Sequence, residues 1–320
     1  MRQDYLTGWG TMTTNNPTLR KLKDAAKSML PAPLFLSLLH HKYIGRYPNL
    51  LRPTTFNEKI LQKSLRPDPW LTELTDKLTV RDYVARKLGE SHLIPLLAAP
   101  ETFTKGVFDA LPDSFVMKAN HGSSYVKVVR NKPATSFEEL RDLANHWLSL
   151  DFYKIGREKH YRPIRPRIFF EQLLLDGSGN VPPDYKLQCF GAKSGRLVIY
   201  ILVISDRFGA DTRGDLYDVN WNHLDVALGE YKPSANPPPR PDNLDAIVDA
   251  GIKLSADFDY VRVDLYSPNN HIYFGELTFT PGAGVLPFMP DRVDYEWGSL
   301  IPDAYLSIRP SLQTTSPGAR

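Results

Sequence analysis

The chain has 320 residues, of which 42% are apolar and 23% charged, as expected for a soluble globular protein of one or two domains. Its formal net charge of +3 is too small to favour nucleic acid as the main partner. The single cysteine, Cys189, excludes an intrachain disulfide and any metal site built from several cysteines. The longest early apolar run, residues 33–39, is too short to span a membrane and lacks a cleavage site for secretion. We therefore expect a cytoplasmic protein.

The first part of the chain is predicted to be a tail followed by a helical extension. Residues 1–16 are polar and rich in threonine and glycine, and we expect them to be disordered. Residues 19–30 carry three lysines among apolar residues, which predicts a basic amphipathic helix. Such a helix either packs on its own domain or docks weakly on the inner face of a membrane. The sequence leaves both possibilities open.

A helix predicted over residues 76–88 places Lys77 in its first turn. Val80 and Val84 belong to its apolar face, and Gly89 fits the position just after the helix. A cation in the first turn is unfavourable with respect to the helix dipole, which hints at another role for Lys77. A solvated lysine is the commoner case.

Residues 115–122 predict a strand that enters a loop of small residues. Lys118 points away from the core, and Gly122, Ser123 and Ser124 follow in the loop. Backbone N–H groups of such a loop can cradle phosphate oxygens while a nearby lysine neutralises them. The Walker pattern is absent from the sequence, and a short Gly/Ser turn often only joins two strands.

Several further elements follow from local signals. Asn57 is a candidate helix cap, Ser136 and Glu139 form a capping box, and Asp242 is a candidate cap for a third helix. After Gly284 we expect a helix-poor tail. The predicted strands are 167–174, 185–190 and 197–204, and a charged loop is predicted over 206–216.

Residues 260–284 predict two short strands joined by a polar turn. Because side chains alternate along a strand, Arg262 and Asp264 share one face of the first strand, and Glu276 and Thr278 share one face of the second. Paired as a hairpin, these residues offer two carboxylates, a guanidinium and a hydroxyl. Mg²⁺ binds through one or two carboxylates together with substrate phosphates, so this face is a candidate metal–nucleotide site. A solvated face with a cross-strand ion pair is the alternative.

Six different motifs follow one another along the chain in a distinctive order. They are FNEKI (56–60), DK-x-x-VRDYV (76–84), PDSFVMKANHGSS (112–124), DYKLQCF (184–190), DRF (206–208) and VRVDLY…YFGELTFTPGAG (261–284). In this order they resemble the TupA-like (teichuronopeptide biosynthesis) family of ATP-grasp proteins, over roughly residues 40–300. The wider outline resembles D-alanine–D-alanine ligase.

The resemblance implies an ATP-grasp fold of the α+β class, in which two α+β lobes hold ATP between them. It divides the chain into an N-terminal tail with a helical extension, a first lobe, a second lobe with the metal site and a disordered tail. The corresponding residues are 1–55, 56–175, 176–310 and 311–320.

The resemblance also assigns roles to individual positions. Lys77 and Lys118 would contact the phosphates of ATP. The loop over the β- and γ-phosphates would contain Gly122, Ser123 and Ser124, and the adenine and ribose would be held by Glu171, Gln172 and Leu173.

On the hairpin, Asp264 and Glu276 would ligate Mg²⁺, with Glu276 bridging two ions. Arg262 would stabilise the transferred phosphoryl group. The third ligand of the wider fold is asparagine, whereas Thr278 occupies that position here, as it does in the TupA-like motif. A hydroxyl is a weaker magnesium ligand than an amide carbonyl, which puts a second metal ion in question.

The implied activity is that of an ATP- and Mg²⁺-dependent carboxylate–amine ligase acting through an acylphosphate. The family is associated with cell-envelope or capsule polysaccharides, so the implied substrates are an amino acid or amine and a uronic acid or other carboxylate. Unpaired basic residues at Lys186, Arg207 and Arg213 are candidates for binding the substrate carboxylate. Loops 121–124 and 209–215 are candidate lids.

Two alternatives remain at this point. Asp257 and Asp259 form an Asp-x-Asp tripeptide, which many glycosyltransferases use to hold a metal–sugar-nucleotide. A non-catalytic nucleotide- or glycan-binding protein that has kept the fold is the other alternative. It predicts a damaged site, whereas the two lysines, two carboxylates and arginine are all present.

Overall fold

The structure is a computed structural model that describes residues 29–207, 209 and 211–302. Its helices are α1 (Ala32–Ile44), α2 (Phe56–Leu65), α3 (Leu71–Thr75), α4 (Val80–Leu88), α5 (Lys105–Ala110), α6 (Phe137–Ser149), α7 (Tyr153–Gly156), α8 (Leu244–Ser255) and α9 (Arg292–Leu300). Its strands are β1 (Leu96–Ala98), β2 (Phe115–Ala119), β3 (Val126–Val129), β4 (Ile168–Glu171), β5 (Asp184–Phe190), β6 (Val198–Ser205), β7 (Arg213–Asp218), β8 (His223–Leu224), β9 (Ala227–Leu228), β10 (Tyr260–Tyr266), β11 (Tyr273–Thr278) and β12 (Phe288–Met289).

The strands form two main antiparallel sheets. A four-stranded sheet has the order β1-β4-β2-β3, and a six-stranded sheet has the order β11-β10-β5-β6-β7-β8. A short pair, β12 with β9, lies apart from both. Separate antiparallel sheets combined with helices confirm the predicted α+β class.

The four-stranded sheet has its own apolar core. Phe115 and Met117 of β2 and Phe170 of β4 are buried against Leu140 and Trp147 of α6. Ser136 caps the N-terminus of α6 as predicted, because its hydroxyl accepts a hydrogen bond from the backbone N–H of Glu139, but the reciprocal bond of the predicted capping box, from the Ser136 N–H to the Glu139 carboxylate, is not formed. The Glu139 carboxylate lies 3.1 Å from Lys127 of β3.

The six-stranded sheet is covered on both faces, and every residue of its strand β5 is therefore buried. On one face, Val261, Val263 and Leu265 of β10 pack with α4 and α8. On the other face, Phe190 and Tyr260 pack with α2 and α9. Burial on both faces explains the nearly continuous apolar character of β6.

Helices α2 and α9 pack through a cluster of aromatic rings. Phe56 makes edge contacts with Phe190, Tyr260, Phe288 and Trp297 at centroid separations of 5.0 to 6.1 Å. Such edge-to-face pairs add about 0.5–1.5 kcal/mol each beyond burial.

The prediction of a helix-poor tail after Gly284 is wrong, because helix α9 follows there and buries Trp297. The helix contains both a glycine and a serine in its last turn, so its local signal is weak, and its packing against α2 decides its structure. Its Gly298 touches the backbone before α2: a Cβ there would lie 2.2 Å from the carbonyl oxygen of Thr54.

Two of the predicted caps are also wrong. Thr55 and Glu58 form the capping box of α2, whereas Asn57 exchanges hydrogen bonds with the backbone of Leu286 at 2.7 and 2.8 Å. Helix α8 begins after Asn243, whose side chain makes no capping bond, and Asp242 lies before it. Asn57 is bound by the distant backbone of Leu286, and the Asn243 side chain donates to Ser267 and to the backbone of Asn270 instead of capping α8.

Three further differences concern loops. Helix α4 begins at Val80, so Lys77 lies in the turn before the helix instead of within its first turn. The loop predicted over 206–216 contains the start of β7. Asp215 is buried within that strand, so the predicted lid over 209–215 is wrong for residues 213–215.

Some predictions fall on residues that the structure does not describe. These are the tail 1–16, most of the basic helix 19–30 and the tail 311–320. Among the described helices, none combines the length and apolar character required to cross a bilayer.

Candidate active site

The hairpin of β10 and β11 brings its polar residues onto one face. Arg262 lies opposite Thr278, and Asp264 lies opposite Glu276. The guanidinium of Arg262 donates hydrogen bonds to Asp264 at 2.6 Å and to Glu276 at 2.7 Å. The hydroxyl of Thr278 donates to Glu276 at 3.1 Å. The shared face predicted from strand alternation is therefore confirmed.

The neighbouring strand β5 adds a lysine and an aspartate to this face. Lys186 lies opposite Asp264, donates a hydrogen bond to it, and lies 2.7 Å from Asp184. Arg207, just after β6, donates to Asp184 and to the Tyr266 hydroxyl. The expectation that Lys186 and Arg207 are unpaired is wrong, because strand pairing brings buried carboxylates beside them. Their role toward a substrate carboxylate stays a prediction.

The four-stranded sheet supplies a second charged group. The ammonium of Lys118 on β2 lies 2.7 Å from one carboxylate oxygen of Glu171 at the end of β4. Arg81 of α4 lies 3.2 Å from the other oxygen. Glu171 therefore fixes the position of Lys118, and its predicted contact with the ribose or adenine stays a prediction.

Lys77 connects the two sheets. Its ammonium donates a hydrogen bond to the carbonyl oxygen of Gly122 at 2.6 Å and lies 3.5 Å from Glu276. The turn that carries it is held by Asp76, whose carboxylate accepts a hydrogen bond from Asn120 at 2.9 Å. Lys77 therefore lies between the Gly/Ser loop and the carboxylates of the hairpin.

The Gly/Ser loop is packed closely at its first residue. A Cβ on Gly122 would lie 2.4 Å from the ring of Tyr125 and 2.8 Å from that of Phe152, so only glycine fits. Ser124 is exposed and has a φ of 64°. The predicted contacts of Gly122, Ser123 and Ser124 with phosphates stay predictions.

A cleft bordered by both sheets brings many of the predicted residues together. Its empty space is about 710 Å³, counted out to its open mouth, and small-molecule sites span roughly 300–1,000 Å³. The apolar part of its wall contains Ile94, Val116, Val126, Val128, Leu173, Leu174, Val181 and Pro182. The polar part contains Lys77, Lys118, Gln172, Arg207, Asp264, Tyr266 and Glu276.

The other predicted residues lie outside that wall. Arg262, Glu171, Thr278 and Gly122 contact residues that line the cleft. Arg213 instead pairs with Asp211 at 2.7 Å and donates to the carbonyl oxygen of Pro233. The expectation that Arg213 is unpaired is therefore wrong, and its role as a substrate ligand stays a prediction.

Electrostatics keep Glu276 and Arg262 of the hairpin charged, whereas burial raises the pKa of Asp264 above its ordinary value even though Arg262 and Lys186 oppose that rise. Burial by itself would raise the pKa of Glu276, but Lys77 and Arg262 hold that pKa well below its ordinary value. Burial likewise works to lower the pKa of Arg262, and Asp264 and Glu276 outweigh it and raise the pKa above its ordinary value. Glu276 is therefore a carboxylate, and Arg262 is a permanent cation.

A family model described as TupA-like ATPgrasp matches residues 58–302. The chain belongs to this family. The matched range includes every cleft residue described above. It confirms the predicted family and the predicted ATP-grasp fold. Comparison with curated proteins by sequence finds no match.

Solved ATP-grasp structures show a distant likeness. D-alanine–D-alanine ligase from Bacillus anthracis is 16% identical, with 66% of this chain and 58% of that chain covered and a TM-score of 0.39. L-amino acid ligase from Bacillus licheniformis is 14% identical, with 68% and 43% covered and a TM-score of 0.39. N5-carboxyaminoimidazole ribonucleotide synthetase from Thermus thermophilus is 13% identical, with 67% and 47% covered and a TM-score of 0.38.

This TupA-like ATP-grasp chain spans less than two thirds of the length of each of those three enzymes. At these identities and TM-scores, the likeness carries no argument about activity. The family assignment rests on the match over residues 58–302.

The donor set of this ATP-grasp cleft fits Mg²⁺ shared with phosphates. The described residues contain no cluster of three or more His, Cys, Asp or Glu side chains able to hold a metal ion. Asp264 and Glu276 supply two carboxylates, which is the number that Mg²⁺ usually takes from a protein when phosphates complete its shell. The apolar wall beside Lys77 and Lys118 suits a nucleotide base next to its phosphates.

Sequence reasoning missed three residues of this ATP-grasp site. Asp184 and Tyr266 each lie two positions from a predicted residue on the same strand, so alternation contained the signal for both. Arg81 lies four residues after Lys77, in the first turn of α4, but its contact with Glu171 depends on tertiary packing.

The Asp-x-Asp tripeptide has a structural explanation. The Asp257 carboxylate lies 2.7 Å from Lys87 and accepts a hydrogen bond from Tyr83 at 3.0 Å. These contacts tie the start of β10 to α4. The observed contacts do not favour the glycosyltransferase alternative.

Proposed function

We propose that this protein is an ATP- and Mg²⁺-dependent carboxylate–amine ligase. The supporting observation is that Asp264 and Glu276 face Lys77 and Lys118 across one cleft with a partly apolar wall. In this proposal Asp264 and Glu276 hold Mg²⁺, with Thr278 as a weaker third ligand. Mg²⁺ supplies charge neutralisation at the phosphates.

The proposed reaction has two steps. An oxygen of the substrate carboxylate bonds to the γ-phosphorus, and the bond to the β–γ bridging oxygen breaks, which gives an acylphosphate and ADP. The amine nitrogen then bonds to the acyl carbon, the acyl carbon–oxygen bond breaks, and the amine loses a proton. The products are an amide and inorganic phosphate.

The residues of the chain position the reactants and balance charge, which is what phosphoryl transfer requires. Lys77 and Lys118 bind phosphate oxygens, and Arg262 faces charge that develops on the transferred group. Lys186 and Arg207 are the candidate ligands for the substrate carboxylate. In the described chain Lys186 pairs with Asp264 and Arg207 with Asp184, so a substrate carboxylate would have to share these cations with the two aspartates.

We further propose that the carboxylate is a uronic acid of a cell-envelope polysaccharide or its precursor, and that the amine is an amino acid or related compound. The support is the family assignment alone. Because the reaction consumes ATP, we place it in the cytoplasm. Weak docking at the inner membrane face through residues 19–30 belongs to the same proposal.

The test is incubation with ATP, Mg²⁺, hydroxylamine and candidate uronic acids. Hydroxylamine traps an acylphosphate as a hydroxamate, so hydroxamate and ADP are expected in equal amounts. Glu276→Gln should lower the rate by about 100-fold or more, because it removes one of the two carboxylates proposed to hold the Mg²⁺ that neutralises the phosphates. Glu296→Gln, on the exposed surface of α9, is the matched control and should leave the rate unchanged.

Release of AMP in place of ADP would contradict the acylphosphate route. Equal turnover by wild type and Glu276→Gln would contradict the proposed catalytic role of the β10–β11 hairpin. Tight Mg²⁺–ATP binding without turnover on any carboxylate would favour the non-catalytic alternative.

A further inference from the structure

A second cavity, here called the α2 groove, lies outside the ATP cleft. It is lined by the C-terminal half of α2, the segment 66–71, Lys193 after β5 and residues 257–259. Its empty space is about 1,570 Å³ including its open mouth, which is larger than that of the cleft. Among the described residues, no proposed ligand of ATP or Mg²⁺ lines it.

Three cations line the α2 groove without an ion-pair partner in the described chain. They are Lys63, Arg66 and Lys193. The Lys63 ammonium donates a hydrogen bond to the carbonyl oxygen of Tyr260 at 3.1 Å and lies 5.8 to 5.9 Å from the ring centroids of Tyr260 and Phe279. Burial lowers the pKa of Lys63 to about 8, although Asp259 and Asp68 counter that effect. A half-buried ammonium without a carboxylate partner gains from an incoming anion.

An aromatic platform lies in the same groove. The Trp70 ring is stacked on Phe258 at a centroid separation of 5.0 Å and an interplanar angle of 24°, and 38% of Trp70 is exposed. Phe258 in turn packs on Phe279 at 5.1 Å. The Trp70 indole N–H has no hydrogen-bond partner in the described chain. Trp70 is therefore held rigidly while it offers an apolar surface and one donor.

Carboxylates alternate with these cations. Asp68, Asp257 and Asp259 also line the groove, and Asp257 is paired with Lys87. They would repel a ligand with a phosphate on every unit, such as a nucleic acid. They accept hydrogen bonds from hydroxyl groups, so the groove suits a ligand that combines many hydroxyls with a few spaced anionic groups.

We propose that the α2 groove binds an anionic oligosaccharide, with uronate carboxylates on Lys63, Arg66 and Lys193 and a sugar ring against Trp70. The identity of this oligosaccharide as the acceptor chain rests on the proposed function. The groove lies at the start of β10 and the cleft is lined by Asp264 further along that strand, six residues after Phe258. At about 3.3 Å per residue the separation is roughly 20 Å, which suits an extended acceptor better than a single sugar.

The test is calorimetric titration of the full chain with a short oligogalacturonate in the absence of ATP and Mg²⁺. A neutral malto-oligosaccharide of equal length is the control ligand. Oligogalacturonate should bind and the neutral chain should not. Lys63→Met and Trp70→Ala should each weaken binding about tenfold or more, the loss expected for a charge-assisted contact or a stacking surface. Lys105→Met, on exposed α5, is the control variant.

Hydrogen exchange on the wild type gives a second readout that needs no variant to fold. Oligogalacturonate should slow amide exchange in residues 62–71. Absence of binding, equal binding of the neutral ligand, or unchanged affinity in both variants would overturn the proposal. Binding in the groove without hydroxamate formation would reject the proposed function alone, and hydroxamate formation without groove binding would reject the groove alone.

Discussion

Glu158 is a buried carboxyl group that forms no ion pair within the described part of the chain, and it provides a direct test of the structure. It is only 4% exposed, and one of its oxygens accepts a hydrogen bond from Thr280 at 2.5 Å. Burial raises the pKa of Glu158 from 4.5 to about 7, although the Thr280 hydroxyl works against that rise. The native state therefore favours the protonated form of Glu158.

The effect of Glu158 on stability follows from its two pKa values. Below pH 4.5 the group is protonated in both native and unfolded states, and its stabilising contribution is complete. As the pH rises from 4.5 to about 7, the unfolded state releases its proton first, and that contribution is lost. The pKa difference corresponds to about 3 kcal/mol at most. Glu158→Gln cannot ionise and keeps an oxygen that accepts from Thr280.

We expect Glu158→Gln and wild type to have similar free energies of unfolding near pH 4, and the variant to be more stable by up to about 3 kcal/mol at pH 8. Urea unfolding at intervals between these pH values measures the difference, in which the other titrating groups cancel. Thr280→Val is a companion variant: loss of the donor should raise the pKa of Glu158 further and steepen the pH dependence. A difference between variant and wild type that is constant with pH would refute the reasoning.

Three other predictions follow from single contacts. Thr278→Val should raise the Mg²⁺ concentration for half-maximal hydroxamate formation on the order of tenfold; no change would remove Thr278 from the proposed metal site. Gly298→Ala should lower the free energy of unfolding in urea by about 1–3 kcal/mol, because its Cβ would lie 2.2 Å from the oxygen of Thr54; an unaffected stability would contradict this packing of α9. Cys189 is buried, and burial raises the pKa of its thiol to about 12, so native protein should react with thiol reagents only as fast as it unfolds; rapid labelling would show that β5 is accessible.

The site hairpin could be predicted because its information is local. Alternation along a strand depends on chain geometry alone, so Arg262, Asp264, Glu276 and Thr278 were placed on shared faces without knowledge of their neighbours. Alternation alone does not fix the register that puts Asp264 opposite Glu276, and this register shifts directly after Asp264. The family resemblance added the order of distant motifs, which no single motif contained, and the match over residues 58–302 confirms it.

The elements that were missed depend on tertiary contacts. Helix α9 has a glycine in its last turn, and it is stabilised by Trp297 packing on Phe56 and Tyr200. The start of β7 reads as a polar loop because of its glycine and aspartate. The Asp215 carboxylate accepts hydrogen bonds there from the backbone N–H and the hydroxyl of Ser234, which lies 19 residues later in the chain. The partners of Trp297 and of Asp215 are distant in sequence, so the residues that flank these positions do not reveal them.

Ion pairing across the sheet was hidden for the same reason. Lys186 reads as a lone basic residue, yet strand pairing places Asp264 beside it, and alternation places Asp184 beside it on its own strand. The contact of Lys186 with Asp184 could have been inferred from their spacing of two residues. The contact of Lys186 with Asp264 required the order of strands in the sheet, which the local sequence pattern does not contain.

The ion pairs of the cleft bear on how nucleotide and metal would bind under the proposed function. Lys77 lies beside Glu276, and Lys186 lies beside Asp264, so cations and carboxylates now neutralise one another. ATP alone would draw Lys77 to its phosphates and leave the half-buried Glu276, with Arg262 as its remaining cation, facing further negative charge. Mg²⁺ alone would draw Glu276 away from Lys77, which would keep only the carbonyl oxygen of Gly122. The two together replace both halves of the Lys77–Glu276 pair, and nucleotide and metal should therefore bind this cleft cooperatively.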